Sequence, residues 1–126
     1  MTDRQLFDKA RNAAENAYAP YSRFCVGAAV LCEDGSVFTG CNVENASYSL
    51  SMCAERVAVF KAVEAGHRRL AAVAVASAQG GDCLPCGSCL QVLQQFAAPD
   101  MRVILQGQTL PLSQLLPHPF VLEEQP

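Results

Sequence analysis

Two rhythms of apolar and polar positions alternate along this chain. Leu6, Ala10, Ala13, Ala14 and Ala17 recur at helical spacing. Thr2-x-x-Gln5, just ahead of them, has the form of a capping box. "YAPYS" ends that helix, with Pro20 as the stop signal. Residues 24–32, "FCVGAAVLC", are mostly apolar and predict a strand, and "EDGS" after them carries the Asp-Gly turn signal. Residues 37–43, "VFTGCNV", predict the hairpin partner, and "ENASYSLS" predicts a polar loop. A second helix is predicted over 52–65, burying Val57, Phe60 and Val63, with Gly66 as its C′ stop. "LAAVAVASA", 70–78, has no polar alternation until its end and predicts a strand buried on both faces. A third helix over 86–98 has Pro85 at or before its first turn. Residues 101–106 predict another buried strand, 111–117 a short helix, and "HPFVLEEQP" the tail. Strands alternating with helices predict an α/β sheet with helices on both faces.

Composition narrows the class. A chain of 126 residues fits one domain, 1–126, with a core large enough to need no disulfides. Apolar residues, tyrosine included, make up 51% before glycine is counted. The usual share is ~45–50% with glycine included, so some apolar surface is expected to be hidden between subunits. The net charge is −3, and Arg68-Arg69 is the only basic pair. Binding a long nucleic acid needs several cations on one surface, so that class is excluded. The polar, helical start is no secretory signal, and no apolar run is long enough to span a membrane. A cytoplasmic protein is expected. Seven cysteines are many for that compartment, where clustered thiols bind metal or do chemistry more often than they form disulfides.

Cys86 and Cys89 form a C-x-x-C that opens a helix. Alone it fits a redox pair, half a zinc site or two buried cysteines. Cys53 also opens a helix, some thirty residues upstream. Helix N-termini carry free N–H groups and partial positive charge, which favour the thiolates that bind zinc. Two helix ends bringing three thiols to one point make a metal site. Three protein ligands leave a position for water, whereas a closed structural site takes four. Cys83 is the candidate fourth ligand, on the loop side. His67 and His118 have no ligand spacing and read as surface histidines. Cys25, Cys32 and Cys41 lie in strand-like runs and read as small apolar residues.

Three thiolates on a divalent ion leave a net −1, which the helix dipoles and Arg56 can offset. Glu55 is two residues from Cys53, and residues i and i+2 of a regular helix face different ways. Either it curls across the helix end toward the metal, or it only favours the positive N-terminus.

"CAE" at 53–55 followed by "PCGSC" at 85–89 resembles the signature of the zinc nucleoside deaminases. Cysteine rather than histidine at the first ligand position is similar to the small cytidine deaminases, which act on free nucleosides. The likeness spans nearly the whole chain, in order: 18–30, 40–49, 53–63, 85–92 and 115–120.

This resemblance implies a three-layer α/β/α sandwich with a mixed sheet of about five strands. It implies one Zn²⁺ per chain on Cys53, Cys86 and Cys89, with Glu55 shuttling protons and Arg56 hydrogen-bonding ligand sulfurs. Asn42 and Glu44 would bind the ribose hydroxyls, and Phe24 would pack on the nucleoside. Backbone groups of Ala46 and Ala54 would touch the substrate. Tyr48 and Phe120 would reach a neighbouring subunit's site in a homotetramer. The implied reaction converts cytidine or deoxycytidine to the uracil nucleoside and ammonia, in pyrimidine salvage. Read alone, Phe24 and Phe120 are core aromatics, Asn42 a turn residue and Glu44 a solvated charge.

Leu90 departs from the pattern, which usually has arginine there. That leaves room for a deaminase of a nucleoside analogue or antibiotic, similar to the blasticidin S deaminases. A non-catalytic zinc or redox module is the reading from another class.

Overall fold

Thr2 and Gln5 form the capping box that their spacing predicts. Thr2 Oγ1 accepts from the Gln5 N–H at 3.1 Å, and Gln5 Oε1 accepts from the Thr2 N–H at 2.8 Å. Helix α1 follows over Asp3–Ala13, with a 3-10 turn at Ala14–Asn16. The chain is seen here in a computed structural model that describes residues 1–122; the end of the tail, 123–126, lies outside the described residues.

The hairpin is β1 (Val26–Cys32) and β2 (Val37–Cys41), joined by a turn in which Gly35 has φ +95°. Then come α2 (Ala54–Glu64), β3 (Leu70–Ser77), α3 (Gly87–Phe96), β4 (Ala97–Ile104), β5 (Thr109–Pro111) and α4 (Leu112–Leu115). The sheet order is β2-β1-β3-β4-β5. Only β3 and β4 run parallel, linked by the α3 crossover that a parallel pair requires. The fold is the expected mixed five-stranded sheet with helices on both faces. Most elements are a few residues shorter than expected, β4 begins at Ala97 directly off α3, and a short strand, β5, takes up 109–110 and the Pro111 expected to open the last helix.

The central strand shows why it reads as apolar throughout. Leu70, Val73 and Val75 enter the larger core, which α2 and α3 cover with Ala58, Val59, Leu90 and Leu93. Ala72, Ala74 and Ala76 face the smaller core under α1, with Leu6, Phe7 and Ala10. Phe7 is buried there although the helical spacing did not single it out, while Ala13 and Ala17 are only half-buried. Small residues let α1 lie close to the sheet: a Cβ on Gly27 would sit 1.9 Å from the Ala10 carbonyl oxygen.

Helix α2 buries a different stripe from the expected one. Ala54, Ala58 and Ala62, with Val59, face the sheet, while Phe60 is 46% exposed and Val57 and Val63 are half-buried. Alanines at i, i+4 and i+8 let the helix come close enough that a Cβ on Gly40 would lie 2.6 Å from both Ala54 O and Ala58 N. The helix ends as predicted. Gly66, at φ +100°, donates to Val63 O and His67 donates to Ala62 O, the paired bonds of a Schellman motif. Arg68 Nη1 adds a bond to Val63 O at 2.6 Å, which fits its reading as a helix-end residue.

Candidate active site

The N-termini of α2 and α3 meet. Cys53 is the N-cap of α2, Cys86 the N-cap of α3, and Cys89 lies in the first turn of α3. Their Sγ atoms all lie within 4.8 Å of one another, and Cys53 and Cys86 are 3.9 Å apart. Two sulfurs on one tetrahedral zinc, each bonded at ~2.3 Å, stand ~3.8 Å apart. The trio therefore fits one zinc ion. All seven cysteines are free thiols, and Cys83 stays outside the trio, so no closed four-thiolate site forms among the described residues.

Charge is concentrated here. Hydrogen bonds from Cys89, Arg56 and Cys86 hold the Cys53 thiol down at about 5. The Cys89 thiol is pushed well up by its bond to Cys53 and by burial. Arg56 Nη2 donates to Cys53 Sγ at 3.4 Å, while its buried Nε has no partner among the described residues. Glu55 is only 4% exposed. Burial first, and then the negative Cys53, push its carboxyl above the usual range, while a bond from Cys89 pulls the other way. Glu55 thus turns inward beside the thiols and is not an exposed helix-end charge.

A hydrogen-bonded segment joins this point to the residues expected to hold a nucleoside. Val43 and Met52, next to Cys53, exchange backbone bonds of 3.0 and 2.9 Å. On either side of Val43, Tyr18 N–H donates to Asn42 O and Glu44 N–H donates to Tyr18 O. The Asn42 side chain spans the start of β1, accepting from Val26 N at 2.9 Å and donating to Phe24 O at 2.8 Å. The Glu44 carboxylate accepts from the N–H groups of Tyr21 and Ser22 and from the Ser22 hydroxyl. Phe24 is 43% exposed, so it is no core aromatic. Ala46 is exposed on the following loop, and Ala54 opens α2, where helix N–H groups lack internal partners. Tyr48 is exposed and packs edge-on against Tyr21, with ring centroids 5.8 Å apart.

Comparison with known proteins gives this arrangement its family. A profile described as "Cytidine and deoxycytidylate deaminase zinc-binding region" matches residues 1–105. The chain belongs to the cytidine and deoxycytidylate deaminase family. It is 48% identical to a cytidine deaminase of Halalkalibacterium halodurans, over 97% of this chain and 97% of that one. The crystal structure of cytidine deaminase from Mycobacterium tuberculosis superposes with a TM-score of 0.90 at 43% identity, covering 97% of this chain and 99% of that one. That of cytidine deaminase from Burkholderia pseudomallei gives 0.89 at 48%, covering 95% and 100%.

Other features of this family member are plain only in three dimensions. Gln91 of α3 grips the backbone of Phe120: its Nε2 donates to Phe120 O at 2.8 Å and its Oε1 accepts from Phe120 N at 3.2 Å. The Phe120 ring itself is 69% exposed. Neither Gln91 nor Ser22 stood out in the sequence, where each reads as an ordinary surface polar residue. Leu90 is buried in the larger core, so this departure from the deaminase pattern packs the inside of α3. A groove of about 570 Å³ between α1 and the ends of β3 and β4 contains none of the thiols. The thiol trio opens to the surface instead, through the exposed Cys86.

Proposed function

We propose that this chain, a single domain over 1–126, is a zinc-dependent hydrolytic deaminase of cytidine and deoxycytidine. The observation that carries this reading is the buried Glu55 carboxyl set against three convergent thiols at two helix mouths. Cys53, Cys86 and Cys89 would hold one zinc. When bound, the ion supplies Lewis acidity and lowers the pKa of a water in its open position toward neutrality.

Glu55 would take a proton from the water that attacks the cytosine ring, as a new bond forms between C4 and the water oxygen. The carboxyl, now protonated, delivers a proton to ring N3 and assists proton transfer to the exocyclic nitrogen. The C4–N bond breaks, and uridine or deoxyuridine and ammonia leave. A raised carboxyl suits a group that both accepts and gives protons near neutral pH. Arg56 offsets the negative charge of the thiolates. Phe24, Asn42, Glu44 and the backbone at Ala46 and Ala54 would bind the nucleoside.

Cys86, Tyr48 and Phe120 are all exposed in the single chain. This supports a homotetramer in which Tyr48 and Phe120 complete a neighbour's site, with Phe60 also buried between subunits. An active monomer at equilibrium sedimentation would overturn that part. Among the described residues no helix is long and apolar enough to cross a membrane. With seven free thiols, this supports a cytoplasmic enzyme of pyrimidine salvage.

The experiment is direct. Zinc-loaded protein is incubated with cytidine or deoxycytidine, and the uracil nucleoside and ammonia are measured in equal amounts, with Glu55→Ala as the inactive control. No turnover of either nucleoside would sink the proposal.

A further inference from the structure

Cys32 and Asp34 lie two residues apart, His67 lies more than thirty residues on, and the three differ in kind, yet their donor atoms lie within 4.8 Å of one another. We propose that they form a second metal site, for one divalent transition ion of the zinc type, at the far end of α2. Helix α2 has 11 residues, so roughly 16 Å of helix axis separates this cluster from the thiol trio. The inference stands apart from the deaminase reading.

Two separate stretches of backbone, the β1–β2 hairpin and the end of α2, fix the donors. Cys32 is the last residue of β1, with its backbone N–H bonded to Ser36 O at 2.8 Å. Asp34 lies in the β1–β2 turn, where its Oδ1 accepts from Ser36 N at 2.9 Å. That leaves Oδ2 directed at the imidazole. His67 closes the Schellman motif of α2, its N–H held by Ala62 O at 2.9 Å, and its ring lies against Phe38 with centroids 5.2 Å apart. Little rearrangement separates this cluster from a coordinating one.

The spacing suits ligands better than a bonded pair. His67 Nδ1 and Asp34 Oδ2 are 3.5 Å apart, beyond a good hydrogen bond. Nitrogen and oxygen on one tetrahedral zinc, with bonds of ~2.0 Å, stand ~3.3 Å apart. Sulfur, nitrogen and oxygen donors together select a borderline ion such as zinc or cobalt over calcium or magnesium. Thiolate, carboxylate and neutral imidazole would leave a divalent ion neutral. Asp34 is exposed, giving a path from solvent and room for a water as the fourth ligand. A bound ion would tie the hairpin turn to the end of α2, and binding to the folded chain alone would raise its stability.

The test counts metal in the full chain. Protein stripped with chelator under reducing conditions is titrated with zinc, and bound metal is measured after gel filtration. Wild type is expected to hold two equivalents, and His67→Ala and Cys32→Ser one each. One equivalent in the wild type that Cys86→Ser loses overturns the site, as do two in either variant, because the second ion then sits elsewhere. Cobalt(II) provides a readout that does not depend on the buried Cys32 variant folding. The second equivalent added to wild type should bring a sulfur-to-cobalt charge-transfer band that His67→Ala lacks; a second equivalent without that band overturns thiolate ligation. Cys86→Ser is expected to keep the distal ion while losing the one in the trio. Failure at this site is thereby distinguished from failure of the deaminase reading.

Discussion

Arg56 Nη2 donates to Cys53 Sγ across one turn of α2, at 3.4 Å. Hydrogen bonds from Cys89 first, and then from Arg56 and Cys86, hold a thiolate at a pH where a free cysteine keeps its proton. Zinc should therefore leave an Arg56→Gln variant more readily. The expected outcome is a ~10–100-fold loss of zinc affinity in chelator competition, the range for removing a residue that supports a ligand. Unchanged affinity would mean that Arg56 serves only packing.

Glu55→Gln separates chemistry from binding. The substitution should keep zinc and lower kcat by at least ~10²–10⁴. It should also change how stability depends on pH in the metal-free protein. Burial and the Cys53 charge raise the Glu55 carboxyl in the fold. Its contribution is therefore complete below the unfolded value and is lost as pH rises through the folded one. Denaturation midpoints measured from about pH 4 to 8 should favour Glu55→Gln over wild type increasingly as pH rises. A constant difference between the two would rule out a raised carboxyl.

Ser22 and Glu44 make the opposite case. The Ser22 hydroxyl and N–H, followed by the Tyr21 N–H, pull the Glu44 carboxyl below its usual range. This group stabilises the loop above the unfolded value, and the contribution is lost as pH falls through the folded one. Ser22→Ala should loosen the loop between Tyr18 and Phe24 without touching the thiols. KM for cytidine should rise severalfold while kcat changes less than about twofold, the signature of lost uniform binding. A fall in kcat at unchanged KM would contradict this assignment.

How much of this was legible depends on which interactions are local. The capping box, the Gly66 stop and the thiols at helix mouths are written over a few residues each, and all are found where they were expected. The sheet-facing stripe of α2 was misread because size stands out and smallness does not. Phe60 looked like core, yet the close approach to Gly40 requires alanines. Spacing alone left the direction of Glu55 open, since the first turn of a helix departs from regular geometry. The grip of Gln91 on Phe120 spans 29 residues, and the Cys32, Asp34 and His67 cluster depends on β1 ending beside the end of α2. No periodicity encodes such meetings. Only the fold brings them together.

Two glycines test whether the alanine-lined contacts matter to the site. A Cβ at position 27 would meet Ala10 O at 1.9 Å and Ala14 N at 2.5 Å, so α1 must move away from the sheet. One at position 40 would intrude on Ala54 O and Ala58 N, the acceptor and donor of one helical bond in α2. Overpacking of this kind costs ~1–3 kcal/mol or more, which lowers Tm by several degrees. Both Gly27→Ala and Gly40→Ala should therefore lose thermal stability. Only Gly40→Ala moves the helix that carries Cys53 and Glu55, so only it should also bind zinc more weakly and turn over more slowly per folded molecule. Zinc content and kcat measured well below each variant's Tm distinguish the two. Equal losses in both would show that the site responds to overall stability and not to where α2 sits.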